Sequence, residues 1–189
     1  MMHDDPSAGA VVTRSGERLL IRRLRDGDTE ALQRFDQELS EATSDVFYPH
    51  GYDSATVARY IERNQEGLDR AFVALAGARI MAYFFLWELN EKTPRLGIGI
   101  ADAYQGQGLG RRLMAVLIAE AKAAGADGIE LTTAPENERA FRFYLKAGFR
   151  HVGDVLNVAG GGESEVEREM FLPLKPDAKP SGRPFRPPA

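Results

Sequence analysis

The chain contains no cysteine among its 189 residues, which excludes disulfide bonds, thiolate nucleophiles and cysteine-ligated zinc. It has no apolar run long enough to span a bilayer, and residues 1–10 lack the cationic end and apolar stretch of a secretory signal. A surplus of positive charge is also missing, since the net charge is −4. These absences predict a cytoplasmic protein whose partners are neither membranes nor nucleic acids.

The composition is typical of a globular domain, with 43% hydrophobic and 28% charged residues. The length is sufficient for one medium-sized core. We expect a flexible leader over residues 1–10 and one domain over residues 11–174. Residues 173–189 contain six of the ten prolines and few apolar side chains. This composition predicts a disordered, proline-rich tail over residues 175–189.

The apolar periodicity predicts the element order β-α-α-β-β-β-α-β-α-β-β. In the second half of the domain, the pattern predicts strands over 96–101 and 128–133 and helices over 109–124 and 138–147. Alternation of strand and helix implies parallel pairing there, with antiparallel strands before and after. The predicted fold is therefore α/β, with a central mixed sheet.

A glycine-rich turn, residues 103–112 with the sequence AYQGQGLGRR, connects a predicted strand to an amphipathic helix. The first amides of a helix lack intrahelical partners and carry partial positive charge, so glycines there favour binding of an anion such as a pyrophosphate. A P-loop would need Lys and then Ser or Thr after its last glycine, and here Arg111 and Arg112 follow. The dinucleotide fingerprint needs other glycine offsets. A turn that only connects the two elements stays an alternative.

Two blocks of residues in this half resemble the GNAT acetyltransferase superfamily. Gln105, Gly108 and Gly110 match the pattern Q/R-x-x-G-x-G/A at the start of a helix. A second block of the family matches at Asn137, Ala140, Tyr144, Gly148 and Phe149. The resemblance extends over about residues 18–172 and implies the GNAT-like fold.

The resemblance implies acetyl-CoA as the cosubstrate, with no metal. It places the pyrophosphate on the backbone amides of the turn and the pantetheine arm between strands 96–101 and 128–133. Asn137 would contact the arm, although it is also a good helix cap. The implied cofactor-binding residues are Ile98, Ile100, Ala101, Gln105, Gly106, Gln107, Gly108, Leu109, Gly110, Arg111, Asn137 and Tyr144.

The implied reaction is direct attack of a neutral amine on a thioester. The amine must lose a proton, because an alkyl ammonium has a pKa of about 10.4. A backbone amide near Ile100 would stabilise the oxyanion. The resemblance gives Tyr144 the role of proton donor to the departing thiolate, and core packing is the competing explanation for this aromatic residue.

The general base is not identified by the motifs. The resemblance implies a glutamate at the start of the fourth predicted strand in many relatives, and this chain has Arg95 there. The candidates that remain are Glu88, Glu130, His50 and His151, together with a water chain.

The implied acceptor is an amine on a small molecule or a peptide. Residues 36–53 contain five acidic residues and no Lys or Arg. Such a stretch favours a cationic acceptor such as a polyamine, an aminoglycoside or a protein N-terminus, and an ordinary solvated face is the alternative. The sequence predicts an N-acetyltransferase; a non-catalytic acyl-CoA sensor and a nucleotide-binding domain are the other hypotheses. A homodimer is compatible with the sequence, which does not determine the oligomeric state.

Overall fold

The computed structural model describes residues 9–158, residue 162 and residues 164–188. Its strands are β1 (Gly9–Val12), β2 (Arg18–Arg23), β3 (Arg70–Ala76), β4 (Arg79–Trp87), β5 (Arg95–Ile100), β6 (Gly128–Thr133), β7 (Arg150–Val158) and β8 (Ser164–Pro173). Its α-helices are α1 (Thr29–Gln37), α2 (Glu41–Ser44), α3 (Ser54–Glu66), α4 (Leu109–Ala123) and α5 (Glu138–Lys146). A single 3-10 turn, Asp102–Tyr104, precedes α4. None of the described helices is long and apolar enough to cross a membrane.

The described strands form one sheet in the order β1-β2-β3-β4-β5-β6-β8-β7. Every neighbouring pair is antiparallel except β5 and β6, which are parallel. The parallel pair is connected through α4, as a crossover connection requires. The predicted α/β fold with a mixed sheet is thereby confirmed.

The two parallel strands separate along their length and form a fork. Arg95 and Glu130 are the residue pair at which they meet. Beyond it, β5 pairs with β4 through to Ile100, and β6 pairs with β8 through to Thr133. Over the described residues no further pair connects β5 with β6, so the carboxyl ends diverge. The sheet is therefore closed at Arg95–Glu130 and open toward Ile100 and Thr133.

Helices cover both faces of the sheet, and strand alternation decides which side chains meet them. The α4 face carries α4 and α5 over a cluster that includes Leu96, Leu131 and Tyr144. The opposite α3 face carries α1 and α3 over a cluster that includes Tyr60 and Trp87. On β5, the even-numbered residues face α4, so Arg95 faces α3; Glu130 does the same because its neighbours Ile129 and Leu131 face α4.

Two short elements at the N-terminal side were not predicted. Strand β1 begins at Gly9, inside the predicted leader, and pairs with β2 from Gly9–Ile21 to Val12–Arg18. Its side chain Val11 is buried in the α4-face cluster, which explains why so short a strand is held. Helix α2 is a single turn. The rest of the predicted leader, residues 1–8, lies outside the described residues.

The proline-rich tail, predicted to be disordered, contacts the domain at several points. The amides of Leu174 and Lys175 donate to the carbonyl of Asp127, at 2.9 and 3.0 Å. Further along, Phe185 is only 7% exposed. One ring and several main-chain hydrogen bonds, rather than a run of apolar residues, make these contacts. Disorder of the tail stays a prediction. Ala189 lies outside the described residues.

Candidate active site

The glycine-rich turn between β5 and α4 has the backbone conformation that suits an anion. Gly106 and Gly108 have φ values of +74° and +82°, in the left-handed region that other residues adopt at a cost. In the described chain no acceptor is recorded for the amides of Gly106, Gln107 and Gly108. Gly108 caps α4 without a side-chain hydrogen bond, and the first turn of α4 has no acidic residue. Amides without a recorded acceptor and the positive end of the helix dipole therefore lie together at this turn.

The third glycine of the turn has a packing role. A β-carbon at Gly110 would lie 3.3 Å from Cζ of Phe143 and 3.7 Å from Cδ1 of Ile100. Gly110 thus lets α4 approach both α5 and β5 closely. Arg111, one position further, is exposed, as is Arg112, and both add positive charge beside the turn.

Two further arginines flank the turn, and neither was among the predicted site residues. The amide of Arg14 donates to the carbonyl of Gln107 at 3.1 Å, and its Nη1 lies 3.3 Å from the carbonyl oxygen of Gly106. On the other side, Nη1 of Arg139 donates to Oε1 of Gln105 at 2.8 Å. Arg14 lies in the β1–β2 connection, which the sequence did not predict. Arg139 lies inside the second motif block, so the sequence could have indicated it as a site residue.

The side chain of Gln105 ties the turn to two other elements. Its Nε2 lies 3.1 Å from both the carbonyl oxygen of Ile100 and Oγ1 of Thr43. Asp102 reinforces the same junction, accepting from the amide and hydroxyl of Ser40 and from the hydroxyl of Thr43. These hydrogen bonds lower the pKa of Asp102 to about 2. The predicted ligand residue Gln105 is therefore engaged in fixing the geometry of the turn.

The backbone of β5 presents free groups to the fork at alternate residues. The amide of Ala101 donates to the carbonyl of Met81 at 2.9 Å, and the pattern alternates along an antiparallel ladder. The amides of Ile98 and Ile100 therefore point away from β4, into the fork. Both main-chain groups of Ala101 are occupied, since its carbonyl accepts from Tyr104. Of the predicted residues Ile98, Ile100 and Ala101, the first two therefore present their amides to the fork, and Ala101 does not.

The two glycines of β5, Gly97 and Gly99, are explained by aromatic packing. A β-carbon at Gly97 would overlap the ring of Phe85, and one at Gly99 would overlap the ring of Phe47. Both rings lie on the α3 face. Phe47 thus anchors the α2–α3 connection against β5, beside the fork.

Tyr144 and Asn137 both lie on α5. Tyr144 is 8% exposed and packs edge-on against Phe143 and Phe149, with ring centroids at 5.3 and 5.6 Å. Burial raises the pKa of its phenol, which keeps the group protonated at neutral pH. Among the described residues no hydrogen-bond partner is recorded for the hydroxyl. Asn137 caps α5, its Oδ1 accepting from the amide of Ala140 at 3.1 Å.

The two predicted carboxylates lie on either side of Arg95. Glu130 is fully buried on the α3 face, and Ser181 donates to both of its oxygens, through the amide to Oε1 and through the hydroxyl to Oε2 at 2.8 Å. Glu88 follows β4 with a φ of +55°, and its Oε2 lies 3.5 Å from Nε of Arg95 and 3.5 Å from Nη2 of Arg183. Glu130 is at the closed end of the fork, and Glu88 is engaged by two guanidinium groups.

A third carboxylate, Glu169, was missed. It lies on β8 opposite Thr132 of β6, and its buried Oε1 has no hydrogen-bond partner in the described chain. Burial, followed by the negative charge of Glu130, raises the pKa of Glu169. The polar pattern of β8 hides it, because alternating Glu and Arg residues are typical of a solvated strand. A buried acid without a partner suggests a functional group.

The histidine candidates and the acidic stretch have structural contacts instead. His50 is buried between aromatic rings, and burial lowers its pKa to about 4. His151 is an exposed residue of β7 near Asp154. Within the acidic stretch, Glu38 pairs with Arg79 at 2.7 Å and Asp53 caps α3.

The comparisons with known proteins bear on the family and the fold of the chain. The model of the Acetyltransferase (GNAT) family matches residues 32–149. The uncharacterized N-acetyltransferase YvbK of Bacillus subtilis is 28% identical over 124 residues, which are 63% of this chain and 77% of that protein. The crystal structure of the GNAT domain of S. lividans PAT has a TM-score of 0.74 at 18% identity and covers 92% of this chain and 100% of its own. Mycobacterium smegmatis RimJ, solved in complex with CoA-disulfide, has a TM-score of 0.74 at 15% identity, with 92% and 90% covered.

Because the family match covers more than half of its length, the chain belongs to the Acetyltransferase (GNAT) family. The predicted family is confirmed, and with it the predicted class of enzyme, an acetyl-CoA-dependent N-acetyltransferase. The structural likenesses bear out the fold. No comparison favours a non-catalytic sensor or a nucleotide-binding domain.

Proposed function

We propose that the fork between β5 and β6 is where an acetyl group passes from acetyl-CoA to an amine. The main observation that supports this proposal is the parallel residue pair Arg95–Glu130. Beyond this pair the two strands diverge, and the glycine-rich turn follows the open end of β5. This opening connects the α4 face, where the turn lies, with the α3 face, where the acids lie. Cosubstrate and acceptor can therefore approach the same point from opposite sides of the sheet.

The turn is proposed to hold the diphosphate of acetyl-CoA. The amides from Gln105 to Arg111 would bind its oxygens, and the free amides of Gly106, Gln107 and Gly108 favour this role. The guanidinium groups of Arg14 and Arg139 lie close enough to the turn to add full charges. An extended diphosphate fits this set of donors better than a carboxylate does, because the donors come from three separate segments of the chain.

The arm of the cosubstrate is proposed to follow β5 from the turn back toward Arg95. The amides of Ile98 and Ile100 are directed into the fork and would bind the arm as an added strand does. Since the turn follows the open end, the thioester would lie toward the closed end. An amide of β5 there would also stabilise the oxyanion.

Tyr144 is proposed to protonate the leaving group. The amine nitrogen forms a bond to the carbonyl carbon, the carbon–sulfur bond breaks, and the thiolate accepts the phenolic proton. Tyr144 suits this step because burial keeps its phenol protonated and its hydroxyl has no recorded partner in the described chain. It lies in the α4-face cluster with Leu96 and Leu131, one residue from each strand of the fork.

The proton lost by the amine is proposed to go to the buried acids of the α3 face. Glu130 lies at the closed end of the fork, and Glu169 lies on the neighbouring strand with a free oxygen. A carboxyl whose pKa is raised is a better proton acceptor than an ordinary one. Glu88 is less suited, because Arg95 and Arg183 engage its carboxylate.

The test is an assay of thiol release from acetyl-CoA with three kinds of amine. A polyamine, an aminoglycoside and a peptide with a free N-terminus and a lysine are compared with reactions that contain no amine. We expect release above the amine-free rate with at least one acceptor, together with an acetylated product of the matching mass. Tight binding of acetyl-CoA without release for any amine would favour a sensor instead.

A further inference from the structure

The C-terminal segment of residues 181–188, here named the tail segment, lies on the α3 face at the closed end of the fork. It contacts four parts of the domain: α3 at Tyr60, β5 at Arg95, β6 at Glu130 and β7 at residues 156–158. We name these parts together the tail groove. The tail segment thus covers the place where an acceptor must arrive if the proposed function is correct.

One contact blocks an acid of the proposed mechanism. Ser181 donates to both oxygens of Glu130, whose side chain has no exposed surface. Each oxygen retains a further lone pair, but with no exposed surface the carboxylate is closed to an amine while Ser181 is in place. An amine therefore reaches Glu130 only after Ser181 has moved away.

A second contact holds the segment by its backbone at Arg95. Nη2 of Arg95 donates to the carbonyl of Pro184 at 2.8 Å, and Nη1 lies 3.3 Å from the carbonyl oxygen of Arg186. Between these two residues, the ring of Phe185 lies 4.6 Å from the guanidinium carbon. Arg95 is almost fully buried and presents its donors to the tail groove. Arg95 stands at the position where the family resemblance implies a glutamate in many relatives.

The remaining contacts also use main-chain groups of the segment. The amide of Phe185 donates to the carbonyl of Leu156 at 3.1 Å, and the amide of Val158 donates to the carbonyl of Phe185 at 2.8 Å. The hydroxyl of Tyr60 donates to the carbonyl of Pro188 at 3.2 Å. Recognition of backbone groups on an extended segment, with one pocket for a ring, is how a groove binds a peptide strand.

We infer that the tail segment is an intramolecular occupant of the acceptor groove, and that it competes there with an extended polypeptide whose amino group is the acceptor. The inference rests on the proposed function. A polypeptide can use the donors of Arg95, Tyr60 and Val158, whereas a small amine has no carbonyl groups to accept from them. The acids Glu130 and Glu169 add negative charge that favours a cationic amino group.

The short connection to the domain raises the effective concentration of the tail segment at the tail groove. Lys175 is fixed to Asp127, and five residues separate it from Ser181. A short flexible tether gives an effective concentration on the order of millimolar. A polypeptide acceptor must therefore bind with comparable strength to displace the segment, and weakening the segment should lower the apparent KM for it.

The test compares Phe185→Ala with a matched change in the same tail. Lys179→Ala serves as the control, because no hydrogen bond or ion pair is recorded for that side chain within the described residues. We expect the Phe185 variant to lower KM for a peptide acceptor severalfold with little change in kcat, and the control to match the unaltered chain. The free peptide SGRPFRPPA should inhibit the Phe185 variant competitively with the peptide acceptor and not with acetyl-CoA. An unchanged KM in a folded Phe185 variant would overturn the inference.

A measurement on the unaltered chain covers the case in which the variant does not fold. Hydrogen exchange at the amides of Ser181 and Phe185 should accelerate when a saturating peptide acceptor is added, and should not change with a small polyamine. Unchanged exchange on saturation would contradict displacement. Acetylation of small amines but not of peptides would overturn the polypeptide acceptor while leaving the proposed function intact. If none of the amines tested increased thiol release above the amine-free rate, that result would count against the proposed function itself.

Discussion

Arg95 on β5 and Glu130 on β6 form the residue pair at which the two parallel strands of the sheet meet. Both side chains are buried on the α3 face. Two buried charged groups at one point would be costly without partners. Here the tail provides partners for both, through Ser181 to Glu130 and through Pro184 and Arg186 to Arg95. The closed end of the fork is thus charged, buried and covered by the chain's own C-terminal segment.

Tyr144→Phe tests the proton donor. The variant retains the packing against Phe143 and Phe149 and loses only the hydroxyl. We expect kcat to fall by about 10²-fold, the scale typical of a lost general acid, with KM for acetyl-CoA nearly unchanged. Tyr48→Phe, at an exposed tyrosine, is the matched control in the same steady-state assay. Full turnover in the Tyr144 variant would remove it from the mechanism.

Gly108→Val tests contact between the turn and the diphosphate. The side chain would occupy space beside the amides and would also strain a φ of +82° by about 1–2 kcal/mol. Gly125→Val is the matched control, because Gly125 has a φ of +81° at the other end of α4. No atom lies within 4 Å of a β-carbon added there. Both variants should lose similar stability in urea unfolding, and only the Gly108 variant should raise KM for acetyl-CoA. An equal KM in the two variants would argue against a diphosphate at this turn.

Arg14→Ala tests the charge added by the β1–β2 connection. Arg14 lies beside the carbonyls of Gly106 and Gln107, so its loss should raise KM for acetyl-CoA severalfold and weaken the dependence of KM on ionic strength. Arg18→Ala on β2 removes the same charge away from the turn. If the two variants show the same KM and the same salt dependence, Arg14 has no role in binding.

Glu169→Gln tests the missed acid through the pH–rate profile. Burial and the charge of Glu130 raise the pKa of Glu169 above its usual value. As a base it must be ionised, so kcat/KM of the unaltered chain should fall as the pH drops through this raised pKa. The Gln variant should be slow and lack this acidic limb. Glu165→Gln, on the same strand and exposed, should retain the limb. If the Glu169 variant also retains the limb, Glu169 is not the base.

His50→Gln tests the cause of acid sensitivity in the core. Nδ1 of His50 faces the carbonyl of Gly51 at 2.8 Å and must carry the hydrogen, so Nε2 accepts from the hydroxyl of Tyr83 at 3.1 Å. Burial lowers the pKa from 6.5 to about 4, so the unfolded chain binds the proton more tightly. The free energy of unfolding should therefore fall as the pH decreases from 6.5 to 4, by up to about 3 kcal/mol.

The measurement is urea unfolding at several pH values for both chains. The difference between the unaltered chain and His50→Gln should shrink across this window and be constant above it. His151→Gln, at an exposed histidine, is the matched control for the change of residue type. A difference that is independent of pH would show that His50 does not titrate in this way.

Local patterns were enough to predict most of the architecture. The strands β3 to β6 and the helices α3 to α5 follow from apolar periodicity and from glycines such as Gly125 at helix ends. The short β1 and α2 were missed because each is only four residues long and is held by its neighbours. Propensity over four residues is too weak a signal to detect such elements.

The amino-acid sequence by itself determined the family, through two motif blocks whose residues are close along the chain. Only the tertiary structure decided which groups meet at the fork. Arg14 and Gly106 are 92 positions apart, and Ser181 and Glu130 are 51 apart. Contacts of this kind depend on how strands are ordered in a sheet and on main-chain groups, which every residue carries and no sequence pattern distinguishes.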